Sequence, residues 1–137
     1  MSELALRMEA IKAAFAAQVP QRVVTRDLLD PAQRSSGDLR NGVYTILSTE
    51  ERDYTNIPGF NAQNGRQGIL IIGDLLLAEN DPPSRVEDAE FAMRDEIVEF
   101  VRNLPQDLCV LNLLDIQQSG QFSHPYGWIV AKLEYVP

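Results

Sequence analysis

The stretch NDPPSRVEDAEFAMRDEIVEFVRNL, residues 80–104, decides the fold class. At about 100° per residue, Val86, Ala89, Met93, Ile97, Phe100 and Leu104 fall on one stripe of a helix. Asp88, Asp95 and Glu99 fall roughly opposite, on the side that water wants. Ser84 and Glu87 have the Ser-x-x-Glu spacing of a capping box, so the spacing predicts a helix over residues 85–103. Pro105 ends it. Phe91 and Val98, seven residues apart, lie on a flank that has no reason to be apolar under water. Glu90 falls inside the apolar stripe and needs a partner there. An arginine from the first half of the chain would serve, or Arg94 one turn on if the stripe's edge is wet.

A helix with one apolar stripe has to cover something, and strands flank it on both sides. Upstream, VYTILST (residues 43–49) and ILIIGDLLLAE (residues 69–79) are β-rich. Downstream, LCVLNLLDIQQ and GWIVAKLEYV bracket a turn. In the last of these, Ile129, Ala131, Leu133 and Tyr135 alternate with Trp128, Val130, Lys132 and Glu134, the period of a strand. A first helix over residues 3–18 is capped by Ser2 and stopped by Pro20. Its stripe is Leu4, Met8, Ile11, Phe15 and Val19. A short strand fits near residues 22–25, and the turn formers that follow, up to Gly42, read as a loop. The expectation is a single α+β domain over residues 1–137. A mixed or antiparallel sheet of four to five strands carries two helices on one face, in the order α-β-β-β-α-β-β.

Three stretches look like surfaces for other molecules. Leu6, Ala10, Ala13 and Ala17 make a second apolar row on the first helix, open either to close approach by a neighbour or to the plain helix propensity of alanine. The loop EERDYTNIPGFNAQNGRQG is longer than a hairpin needs, and it presents Arg52, Tyr54, Phe60, Asn61, Asn64 and Arg66. QQSGQFSHPYGW, residues 117–128, is polar without charge. Gln118 and Gln121 suit hydrogen bonding to a neighbour, or simply a wet strand face. HPYG fits a type I turn with Pro125 second and Gly127 fourth.

No reaction motif emerges. His124 is the only histidine and has no second ligand near it in sequence, so a turn residue is the plainer reading. Ser119 or Ser123 could be drawn into a triad with it, but nothing resembles a nucleophile elbow. The acid pairs Glu50/Glu51 and Asp95/Glu96 read as solvated charge. The glycines of GFNAQNGRQG join two strands, whereas a phosphate cradle feeds a helix. Cys109, in the apolar run LCVLNLL, reads as a buried inert thiol. No catalytic residue, metal or cofactor is expected.

The chain has 137 residues and a formal charge of −8. Residues 1–66 balance eight basic against eight acidic side chains, and residues 67–137 hold four against twelve. That argues against a phosphate-backbone partner. No stretch is apolar enough to span a bilayer, and the N-terminus lacks a secretory signal's basic start, so a cytoplasmic protein is expected.

NGVYTILSTEE, the loop ending NGRQG, ILIIGDLLLAE, VEDAEFAMRDEIVEF and QQSGQFSHPYGWIVAKLEY, in that order, resemble the tail-terminator proteins of long-tailed phages and prophages, the minor tail protein U type. The likeness runs over nearly the whole chain. It implies a mixed sheet with two packed helices and a homo-oligomer, a hexameric ring. Such a ring caps the tail tube, meets the head–tail connector and catalyses nothing. It would be assembled in the host cytoplasm and end in the virion. On this reading Leu6, Ala13, Ala17, Phe91, Val98, Gln118 and Gln121 meet neighbouring subunits, and the long loop touches the tube or lines the ring. The alternatives are another head–tail connector or neck completion protein, or a small cytoplasmic ligand-binding α+β domain.

Overall fold

The computed structural model describes residues 2–54, 56–57, 60–61 and 65–137. Helix α1 is Glu3–Gln18, strand β1 Val23–Thr25, helix α2 Ser36–Asn41 and strand β2 Val43–Arg52. Strands β3 (Asn56–Ile57), β4 (Phe60–Asn61) and β5 (Arg66–Leu76) follow. The chain ends with helix α3 (Pro83–Arg102) and strands β6 (Leu111–Gln118) and β7 (Tyr126–Tyr135). The main sheet has five strands in the order β1-β2-β5-β7-β6. Only the β1–β2 pair is parallel; the others are antiparallel. This is the expected α+β fold with a mixed sheet.

Period-two alternation assigns the two faces. Tyr44 pairs with Gly73, Gly73 with Ile129, and Ile71 with Ala131. These positions face α1 and α3. Met8, Ile11, Phe15 and Val19 of α1 and Val86, Met93, Ile97 and Phe100 of α3 are buried against them. Phe15 is the hub, its ring 4.6 Å from Tyr44 and 4.8 Å from Phe100. Burying an aromatic cluster of this size is a main source of cohesion in a domain this small.

Several expectations are corrected. Residues 26–42 are not simply a loop: they hold a 3-10 turn at Pro31–Gln33 and helix α2, capped by the Ser35 hydroxyl on the Asp38 amide. Arg34 donates to the Thr45 hydroxyl, and Thr45 alternates with Tyr44 and Ile46, so this segment lies on the sheet face opposite α1 and α3. There are thus three helices rather than two. α2 is too short and polar to announce itself by periodicity, and only Leu39 is buried. Gly42 then caps it at φ 86°, a conformation glycine adopts without strain.

The capping box does not form. Pro82 and Pro83 start α3 two residues early, without a side-chain cap, which places Ser84 inside the first turn. Glu87 is released to accept from Gln121 at 3.0 Å. The turn closes differently as well. The Tyr126 amide donates to the Ser123 carbonyl at 2.9 Å across a cis His124–Pro125 bond, so Pro125 is third in its turn, and Tyr126 and Gly127 already belong to β7. Cys109 is exposed, at the end of a 3-10 turn (Gln106–Leu108) that precedes β6. The polar connection after β2 is shorter than expected, because β2 and β5 extend their ladder out to Arg52 and Arg66. Part of the connection forms a second two-stranded ladder, β3–β4. No helix among the described residues is long and apolar enough to cross a membrane.

Candidate assembly surfaces

Two of the exposed large apolar residues stand on the outer faces of α1 and α3, while Leu28, Leu29, Val110, Leu114 and Tyr126 are exposed elsewhere. Leu6 is 57% exposed and Phe91 44%. Ala13 and Ala17 are exposed, and Val98 is half-buried. Each lies off the stripe that packs on the sheet, as the 3.6-residue period dictates. Ala10 is the member of the α1 row that packs against the core instead. Leu6 and Ala10 line a shallow cleft of about 260 Å³ together with Arg7, Leu108 and Tyr135. Arg7 stacks 3.8 Å over the Tyr135 ring and donates to Gln67 at 2.9 Å, which pins this corner of α1 to the sheet.

The long connection begins and ends at a charge cluster. Arg52 and Arg66 face each other in the β2–β5 ladder. Both reach Glu134 of β7, at 3.3 Å and 3.5 Å. Glu134 is 7% exposed, while the Arg52 and Arg66 side chains that reach it are 43% and 49% exposed. Arg52 and Arg66 therefore anchor the end of the ladder to β7 as well as offering charge. Tyr54 is 44% exposed beyond them. Phe60 and Asn61 make up β4, and Asn64 lies outside the described residues.

The β6–β7 turn is tethered to α3 and to the segment that precedes it. Glu90 of α3 is fully buried, so the stripe's edge is not wet there, and its partner is neither an arginine of the first half nor Arg94. Its Oε2 accepts from the Ser119 hydroxyl and, at 3.0 Å, from the Trp128 amide. Arg94 instead reaches Asp95 at 2.9 Å. Gln121 ties the turn to Glu87, and His124 Nε2 meets the Asp81 carbonyl at 2.6 Å. His124 is thus a fastening of the turn. Gln118, half-buried, pairs with Ile129 on the helix side. From this frame Phe122 projects, 95% exposed. The sequence reading passed over both Ser119 as the partner of Glu90 and Phe122.

Among the described residues no group of three His, Cys, Asp or Glu side chains could hold a metal ion. Glu96 receives the Tyr44 hydroxyl at 2.6 Å and Arg22 at 3.0 Å, a link that fastens α3 to β1 and β2. Burial first, then the hydrogen bond and charge of Glu96, pushes the Tyr44 hydroxyl far above the ordinary phenol range, so it stays a donor. Burial also raises the Asp74 carboxyl; the charge of Arg34 opposes this and Asp30 adds to it. The Tyr44 hydroxyl is held by the Met93 carbonyl and Glu96, whereas the Asp74 shift comes mainly from burial. No protein-family model and no curated protein matches this chain.

Proposed function

We propose that the chain is a structural subunit that assembles with copies of itself into a closed ring, of the phage tail-terminator type suggested by its resemblance. In that role the ring caps a tail tube and joins it to a head–tail connector. The observation that carries the reading is the split between core and surplus on α1 and α3. The core is filled by one stripe from each helix, yet Leu6 and Phe91 remain exposed on the outside, beside Ala13, Ala17 and half-buried Val98. Apolar side chains on the outer faces of two neighbouring helices are what a second subunit would cover. Distinct patches meeting head to tail close into a ring when the rotation allows it.

The end of the β2–β5 ladder, braced by Arg52 and Arg66 on Glu134, suits contact with the tube or with the ring lumen. In this role the protein binds and positions and performs no reaction. Phe91→Asp with Val98→Asp tests it. The doubly substituted chain is expected to keep the wild-type circular dichroism and melting transition and to lose higher assembly in mass-resolved chromatography. Unchanged assembly would refute the assignment of these residues.

A further inference from the structure

The charges of α3 stand in an order that suits a second copy of the same helix. Along the flank that carries Phe91 and Val98, the residues at steps of three and four are Glu87, Phe91, Arg94, Val98 and Arg102, with Asp95 beside them. This flank looks past the edge of the sheet. On the other side of the helix, Glu96 holds Arg22 and Tyr44, so that side looks toward β1 and β2. Glu87 instead holds Gln121, in the turn after β6, and β6 is an edge strand. Phe91, Arg94, Asp95 and Arg102 are exposed, and Glu87 and Val98 are half-buried. The flank is neutral, with Glu87 and Asp95 against Arg94 and Arg102, in a chain of formal charge −8. It is a place where two copies of an acidic chain meet without net repulsion.

Two such flanks match when the helices run antiparallel. A two-fold axis crossing α3 between Arg94 and Asp95 exchanges each residue with the one equally far on the other side of that point. Phe91 then meets Val98 of the second copy, Glu87 meets Arg102, and Arg94 meets Asp95. Rise and rotation are both linear in residue number, so these partners agree in height and in direction around the helix. Each pairing joins apolar to apolar or opposite charges. The register is specific. Slipping it by one turn sets Phe91 against Arg102 or Arg94, and Val98 against Asp95 or Glu87. We infer that the free chain pairs with a second copy through this flank of α3, antiparallel, about that axis. The contact uses one flank twice, so it differs from the head-to-tail contact of the proposed ring and does not require it. It covers Phe91 and Val98 until ring formation claims them. The seam from Glu87 to Arg102 is about 22 Å long and one helix wide. It buries less than about 1,200 Å² in all, the low end for a specific contact, so the pair is weak and reversible.

Sedimentation velocity over a concentration series tests the pairing with two single variants and their mixture. Glu87→Arg alone places like charges at both ends of the seam, and so does Arg102→Glu. Each is expected to weaken the wild-type dimer about tenfold or more. Mixed in equal amounts, the two variants restore opposite charges at both ends. A dimer with one chain of each kind, close to the wild type in strength, is the expected result. A variant that had merely lost its fold would not recover on mixing. A wild type that never dimerises, single variants that dimerise as well as the wild type, or variants that stay monomeric when mixed would each overturn the pairing. Electron microscopy of the wild-type samples scores the ring separately. Rings without recovery on mixing would defeat the pairing and leave the ring reading in place; recovered dimers without rings would do the reverse.

Discussion

Two glutamates lie at opposite ends of β7 and are held in opposite ways. Glu90 meets the start of the strand and takes two uncharged donors, the Ser119 hydroxyl and the Trp128 amide. Glu134 lies near its other end and takes two cations, Arg52 and Arg66. Both carboxylates are nearly or wholly buried. The difference is what covers them. The Glu90 end is sealed by α3 and the glycine at 127, where an added Cβ would come within 2.8 Å of Glu90 Oε2 and 2.7 Å of Val86 Cγ1. No long cationic side chain fits there, so the strand's own amide and a short hydroxyl do the work. The Glu134 end is open to solvent on the side from which the arginines approach, and their long stems reach across it. A buried carboxylate needs donors of the right geometry more than it needs opposite charge.

The largest effect is expected at the sealed end. Glu90→Ala removes a buried acceptor and leaves the Ser119 hydroxyl and Trp128 amide unpaired, which should destabilise the chain by about 3 kcal/mol in urea unfolding. It should also loosen amide exchange in residues 119–126. Glu134→Ala should cost about 1 kcal/mol, because its partners are half-exposed and recover water. Raising salt toward 1 M, where the Debye length falls to about 3 Å, should shrink the Glu134 effect and leave the Glu90 effect unchanged. Equal salt sensitivity at the two sites would break the contrast.

A smaller effect concerns a third buried carboxylate, Asp74, which feels the charge of Arg34 but makes no hydrogen bond or close ion pair among the described residues. Asp74 has a raised folded pKa, so the fold prefers its neutral form. As pH rises above its ordinary value of 3.8 toward the raised folded value, the native state holds the proton longer than the unfolded chain. Stability therefore falls across that window. Asp74→Asn should remove this slope and raise stability at pH 7 by less than about 1 kcal/mol. A steeper slope in the variant would contradict the sign.

What the sequence disclosed follows from how far each signal reaches. The stripes of α1 and α3, the alternation of β7 and the place of Glu90 within a stripe are properties of a period, and periods survive in a single chain. The partner of Glu90 is not such a property: Ser119 is 29 residues away and its place depends on how β6 folds back. α2 escaped because six residues with one buried leucine make no period. The capping box misled because Pro82 and Pro83 preset the helix start ahead of Ser84. Cys109 shared an apolar run with buried residues but fell on the exposed end of a turn, a distinction that composition does not carry. Among the proposed contact residues, Leu6, Ala13, Ala17 and Phe91 were legible as a second helical row. The exposure of Phe122 was not, since nothing in the polarity of its neighbours marks which way a turn residue points.

The central claim is that the helix faces around Leu6 and Phe91 are where copies of this chain meet. Mass-resolved chromatography over a concentration series, with electron microscopy of the largest species, tests it most directly. Closed rings of uniform diameter that vanish in the Phe91→Asp, Val98→Asp chain are the expected result. A wild-type chain that stays monomeric throughout, or rings that survive the double substitution, would contradict it.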